Sequence, residues 1–350
     1  MGSWVSKPKA ELSVDTVSLG MVVIDEIRLP SRPPLIDVAG GSGTYATLGS
    51  RLFSTCGQSH RVGCLVLAGR DFPDAIREQL LGWQMSLVLN LSEDKLSTRG
   101  LLEYEDDTFG PKKFRYTTPP LKASPIDLID SYLLNSRAFH LLATPEEVQK
   151  QIPELIKLRA QRGVKKRPFL VWEPLPAACI TRNRDAFLQA CKLVDVFSPN
   201  HLEMSALFED PPLKMLQPDQ LEAYALEFSR ATGMSGNGIV IIRAGEHGSL
   251  ATQNAAKKVW LPPYYQDGAT KVVDPTGAGN TFLGGFIEGW KRSQDIAEAS
   301  AFGNVAASFA LEQIGLPSCQ MRGGKELWNG VQVMDRLTEY KALLKLPGTT

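Results

Sequence analysis

Apolar positions along this chain fall into two rhythms. Short, nearly continuous apolar runs alternate with longer stretches whose apolar residues recur every three or four positions. The runs Val14–Ile24, Arg61–Ala68, Ala138–Leu142, Pro168–Trp172, Val196–Ser198 and Gly238–Arg243 predict strands. Between them, Phe72–Trp83, Glu146–Gln161, Arg184–Leu193 and Pro218–Ala231 predict amphipathic helices. Strands apolar at nearly every position suit a sheet covered on both faces. Their alternation with helices implies right-handed crossovers and a mostly parallel sheet.

One region departs from this texture. Arg99–Tyr104 and Lys113–Thr117 alternate apolar and polar residues around a turn at Asp106–Pro111. That is the pattern of a half-exposed hairpin, and inside an alternating α/β chain it reads as a lid. A Pro-rich stretch, Leu29–Pro34, follows the first strand, and the small residues Gly40 to Ala46 then open a helix running to Phe53. No internal repeat and no disordered linker interrupts the chain. The expected organisation is a single domain over residues 11–345, with lid elements at about 27–39 and 98–118 and a flexible tail at 1–10.

Composition narrows the function classes. The 350 residues carry 38 basic and 38 acidic side chains, with 43% hydrophobic and 22% charged residues. These are the proportions of a soluble globular protein. A net charge of zero excludes a broadly basic surface, so direct nucleic-acid binding is not expected. No apolar run approaches the roughly 18 residues that span a bilayer, and no secretory apolar segment is read at the start. Cys56, Cys64, Cys179, Cys191 and Cys319 are odd in number, widely spaced and never paired as CxxC. That argues for a reducing, cytoplasmic setting rather than a disulfide framework or structural zinc. Met1-Gly2-Ser3-Trp4-Val5-Ser6 fits the short N-myristoylation pattern at Gly2, although a plain tail is the preferred reading.

The stretch Asp274-Pro275-Thr276-Gly277-Ala278-Gly279-Asn280-Thr281 carries the most chemistry. A strand-like Val272-Val273 precedes it and a helix of small and apolar residues follows. Small residues entering a helix leave backbone N–H groups bare, and with the positive helix end these donors form an anion site. A second glycine pattern, Gly41-x-Gly43-x-x-Ala46, fits the dinucleotide fingerprint. It follows a Pro-rich segment rather than a strand and has no acid at the required distance, so a dehydrogenase is not expected.

The stretch at 274–286 resembles the second signature of the PfkB (ribokinase-like) carbohydrate kinases, whose core is DTxGAGD. The resemblance extends from about Val14 to Ser318 and is greatest to the fungal Mak32-like branch. It implies a three-layer α/β/α ribokinase-like sandwich with a mostly parallel central sheet and a small β lid. It also implies ATP as co-substrate or ligand, with Mg2+. Under it, Gly277, Ala278 and Gly279 hold the transferring phosphoryl, and Asn280 stands where the family has the Asp that takes the proton from the attacking hydroxyl. Asp25, at the end of the first strand, corresponds to the acid on sugar hydroxyls. Gly40, Gly41 and Gly43 resemble the glycines that let substrate approach the backbone, and Tyr45 replaces an Asn of the acceptor site. Asn200 and Glu203 match N-x-x-E, tied to magnesium through water. Arg243, Gly245 and Gly248 resemble the strand and turn near the nucleotide, with Arg243 where the family often has Thr. Asp274 and Thr276 belong to the same nucleotide-side signature, and Asn304 and Ala307 to the helix flanking adenine.

Phosphoryl transfer depends mostly on positioning and charge neutralisation, and a positioned base typically adds about 10²–10⁴-fold. Asn280 is neutral and cannot take the proton. Two readings stay open at this point. The protein is a kinase, weak or using another proton acceptor such as Asp25 or water, for a small sugar or nucleoside-like ligand. Alternatively it is an inactive nucleotide-binding relative acting as a sensor or assembly component. Lid hairpins of this kind can also pair two copies into a homodimer.

Overall fold

The computed structural model describes residues 3–5, 13–55, 57–107, 112–211, 216–266 and 269–345. A ten-stranded sheet forms its centre. Across the sheet the strands run Ser3–Val5, Ser86–Ser92, Val62–Gly69, Thr16–Ser18, Ala138–Ala143, Phe169–Pro174, Val196–Phe197, Ile239–Arg243, Ser249–Gln253 and Lys257–Leu261. Neighbours from Ser86–Ser92 through Ile239–Arg243 are parallel, and the outer strands at both edges are antiparallel. Ser3–Val5, within the expected tail, is one of those edge strands. Gly2 and the remaining tail residues lie outside the described residues.

The apolar runs are continuous because each strand feeds two cores. Leu170, Trp172, Val240 and Ile242 pack with Val148, Leu155, Phe187 and Phe228 from three helices on one face. Their chain neighbours Val171, Ile239 and Ile241 pack with Phe282, Leu283, Phe286 and Ile287 on the other. That is the three-layer α/β/α arrangement, with the period-two side-chain alternation of a strand turned to two apolar layers.

A four-stranded mixed sheet, in the order Leu35–Gly40, Val23–Arg28, Arg99–Tyr104 and Lys112–Tyr116, forms the lid. Ile27, Leu29, Leu102 and Tyr104 form its small core. Residues 108–111 of the expected hairpin turn lie outside the described residues.

Two expectations need correction. The run Val14–Ile24 is not one strand: Thr16–Ser18 belongs to the large sheet and Val23–Arg28 to the lid. The division falls at Gly20, where a Cβ would stand 2.5 Å from the Gly43 nitrogen. The helix Ser42–Leu52 therefore seats directly on the chain at Gly20, and Asp25 falls inside a lid strand rather than at the end of the first strand. Val272-Val273 is not a strand either. Val273 donates its N–H to the carbonyl of Leu311 at 2.7 Å, so the segment pairs with the end of the helix Ile296–Leu311.

Candidate active site

The helix Ala278–Ser293 starts at the C-terminal edge of the parallel strands, where open α/β sheets place their ligands. Gly277 caps it with φ +78°, a left-handed conformation that suits glycine. A Cβ there would also meet ring carbons of Tyr45 at 2.3–2.4 Å. No acidic residue occupies the first turn, so the helix end keeps its positive character within its own sequence.

A cavity of about 850 Å³ opens in front of this turn. Its polar end is formed by Ala278, Gly279, Asn280, Arg243, Glu203, Asn200 and Glu173. Val272, Val273, Phe282, Ala307 and Leu311 give its wall an apolar character, and Tyr264 and Tyr265 flank it. Gly245, Gly248 and Asn304 complete the contribution of the sequence-expected nucleotide residues. Asp274, Thr276 and Gly277 do not line it, and neither do Asp25, Gly40, Gly41, Gly43 and Tyr45.

Those other residues are gathered on the lid side. Asp274 is buried and accepts hydrogen bonds from the Thr276 N–H at 2.9 Å and the Tyr104 hydroxyl at 3.2 Å. Lys112, from the last lid strand, donates to the Tyr104 hydroxyl at 3.1 Å and to the Thr276 hydroxyl. The lid is thus fastened to the glycine turn through Asp274 and Thr276.

Asp25 is 5% exposed, and among the described residues its Oδ1 has no hydrogen-bond partner. Gly40 and Gly100 make its room, since a Cβ on either would collide with the carboxylate, at 1.9 and 2.4 Å. Burial pushes the Asp25 carboxyl up to about 7, Lys112 opposes this, and Asp274 adds to it. Gly41 and Gly43 face backbone instead: a Cβ would meet the carbonyls of Met21 and Gly20, each at 2.4 Å. Tyr45 is buried with its ring on the Gly277 turn.

Asn200 and Glu203 form a capping box on the helix His201–Ala206. The Asn200 side chain accepts from the Glu203 N–H at 2.8 Å, and Glu203 accepts from the Asn200 N–H at 2.7 Å. Glu203 is pushed up to about 7, chiefly by burial, against the pull of Arg243 and the Asn200 N–H. Asn304 donates to the Tyr340 hydroxyl at 2.9 Å and the Pro262 carbonyl at 3.1 Å, which ties the far wall together.

Arg243 ends its strand and turns back across the site. Its Nη1 meets Glu173 at 2.6 Å, and its Nη2 meets the Ser198 carbonyl at 3.0 Å and Glu203 at 3.5 Å. Glu173, at the end of Phe169–Pro174, also contacts His140 Nε2 at 3.2 Å and accepts from the Asn280 amide. His140 Nδ1 in turn pairs with the Ser18 hydroxyl at 2.8 Å. Burial works to raise the Glu173 carboxyl, but Arg243, His140 and Asn280 outweigh it and hold the group below the usual carboxylate range.

Glu173 and His140 are not among the residues singled out from sequence. Each is a lone polar residue in an apolar strand, at 5% and 1% exposure. That isolation is the signal that marks them, because a charge buried in a strand needs partners.

Among the described residues no group of three or more His, Cys, Asp or Glu side chains is gathered to hold a metal ion. A helix N-terminus and a guanidinium, with the carboxylates of Glu173 and Glu203 beside it, fit an anion whose metal is carried largely by phosphate and water. Among the described residues no helix is long and apolar enough to cross a membrane.

Residues 117–321 match the family model described as pfkB family carbohydrate kinase. An uncharacterised protein of Schizosaccharomyces pombe is 32% identical, over 95% of this chain and 94% of the relative. Protein MAK32 of Saccharomyces cerevisiae is 31% identical, over 94% of both. The solved structure of ribokinase from Giardia lamblia superposes with a TM-score of 0.65 at 16% identity, covering 87% of this chain and 94% of that one. At that identity it shows the fold.

Proposed function

Because the chain belongs to the pfkB family of carbohydrate kinases, we propose that it binds Mg·ATP in the cavity and a small hydroxyl-bearing ligand under the lid. The single observation that carries this reading is the convergence at Gly279. A helix N-terminus with no acidic residue in its first turn meets the Arg243 guanidinium there, at the polar end of a cavity with an apolar wall. That combination suits a polyphosphate attached to a planar ring.

In this reading the N–H groups of Gly277, Ala278 and Gly279, with Arg243, neutralise charge on the phosphoryl group as it transfers. Asn200 and Glu203 would hold Mg2+ through water, and the ion would draw further charge from the phosphate oxygens. The acceptor oxygen forms a bond to the γ-phosphorus, the bond to the ADP oxygen breaks, and the hydroxyl proton must leave. Asn280 can accept a hydrogen bond from that hydroxyl without taking the proton. Asp25 can take it, since a carboxyl poised at about 7 is matched to proton transfer near neutrality. The acceptor class is a sugar or nucleoside-like alcohol, and nucleic acid is not a partner.

A second reading has its own observation. Tyr45 fills the space beneath Gly277 on the acceptor side, and Lys112 and Tyr104 hold the lid against Thr276. A protein closed in this way would bind nucleotide without turnover and act as a sensor or assembly component. The exposed side chains Leu35, Ile36, Phe114 and Tyr116 on the lid would suit pairing of two copies. ADP release measured across a panel of sugars, sugar phosphates and nucleosides separates the two readings. Acceptor-dependent release supports the kinase, and bound ATP with no release from any acceptor supports the second.

A further inference from the structure

We propose that Glu173 is the positioning residue for Asn280, and that the Glu173–Arg243 pair is what requires an amide rather than a carboxylate at position 280. The Asn280 Nδ2 donates to Glu173 Oε2, while Arg243 Nη1 holds Oε1 at 2.6 Å and His140 Nε2 lies 3.2 Å from Oε2. The direction of the amide is fixed by chemistry. An ionised carboxylate only accepts, so the NH2 end of Asn280 must face it. The two heteroatoms of a carboxamide diverge, and the carbonyl oxygen is thereby turned away from Glu173 as an acceptor for a hydroxyl.

The negative charge that Asn280 lacks stands one hydrogen bond away, on Glu173, and it is not available as a base. Arg243 and His140 occupy its oxygens, and the Glu173 side chain is itself buried. The same arginine presses on the glycine turn, with Nη1 2.5 Å from where a Cβ of Gly279 would stand. Asn280, Glu173 and Arg243 therefore form one ordered set, in which the group facing the anion turn is the guanidinium. An Asp at 280 would put two carboxylates in hydrogen-bond contact, where both cannot stay ionised. The simple substitution Asn280→Asp is then a damaged site rather than a restored one.

The inference relies on the kinase-like reading only for its consequence for turnover. The contact itself is tested without nucleotide, in a thermal-unfolding cycle on the full chain with Asn280→Asp, Glu173→Gln and the double variant. Asn280→Asp is expected to melt several degrees below wild type. Glu173→Gln/Asn280→Asp is expected to recover at least half of that loss. The amide introduced at 173 can donate to the carboxylate introduced at 280, with the polarity of the bond reversed. Where an acceptor supports ADP release, the double variant should exceed Asn280→Asp by about tenfold, the low end of a general base's worth being larger still. If Asn280→Asp melts with wild type and turns over faster, or if the double variant equals the sum of the two single losses, the inference is wrong. If Asn280→Asp does not fold, Asn280→Ala decides: a folded Ala variant supports charge conflict, and an equally unfolded one overturns it. A positive cycle in a protein that fails to bind Mg·ATP keeps the Glu173 lock and removes the kinase-like reading.

Discussion

The guanidinium of Arg243 and the backbone of Gly279 are packed so closely that a methyl group on Gly279 would stand 2.5 Å from Nη1. Arg243 cannot retreat easily, since Glu173 and the Ser198 carbonyl hold its two ends. Gly279→Ala should therefore push the arginine off its partners and narrow the anion turn. The expected result is at least about a tenfold loss of Mg·ATP affinity, or about 1.4 kcal/mol, with the protein still folded. Calorimetric titration of the variant beside wild type checks it.

Asp25 ties stability to pH. Its folded carboxyl is raised to about 7 by burial, above its ordinary value of 3.8. A group with a raised folded value contributes stability that is fully present below the ordinary value and is lost as pH rises through the folded one. Stability should fall between about pH 4 and pH 7, and Glu203, raised in the same direction, adds to the slope. Asp25→Asn should flatten part of that slope and be more stable than wild type at pH 8 by about 1 kcal/mol or more. Denaturant unfolding at pH 5 and pH 8 measures it; equal slopes in the two proteins would count against a buried, unpaired Asp25.

Much of the architecture was legible because it is local. The Asp274–Thr281 turn showed its helix start through small residues, and the apolar runs announced strands covered on both faces. What stayed hidden is tertiary. The break in Val14–Ile24 depends on Gly43 touching Gly20, more than twenty residues away. Glu173 lies 107 residues from Asn280, and its neighbour Pro174 makes it look like a solvated strand exit. Asn200 and Glu203 show the opposite problem: one spacing serves a capping box and an N-x-x-E motif together.

Tyr45 is 3% exposed and seats the Gly277 turn. Tyr45→Ala should cost about 3 kcal/mol, in the range of large-to-small core substitutions. It should also widen the acceptor side, so weak ADP release without added acceptor, from transfer to water, is expected to rise. Chemical unfolding and a long ADP assay test the two halves separately.

Lys112 shares with Tyr104 the lid's tie to Thr276. Lys112→Ala should leave global stability within about 0.5 kcal/mol, as for most substitutions away from a core. Amide exchange in the lid strands Arg99–Tyr104 and Lys112–Tyr116 should speed up while the central strands stay protected. Unchanged lid exchange would mean that the lid's own sheet, not this tie, holds it in place.

The cavity in front of the Gly277–Gly279 turn is the proposed Mg·ATP site, and calorimetric titration of the full chain with Mg·ATP tests it. Saturable binding is expected at or below millimolar nucleotide, accompanied by a rise in melting temperature, as ligand linkage requires. Absence of heat and of any melting shift at millimolar Mg·ATP, in protein shown to be folded, would contradict it.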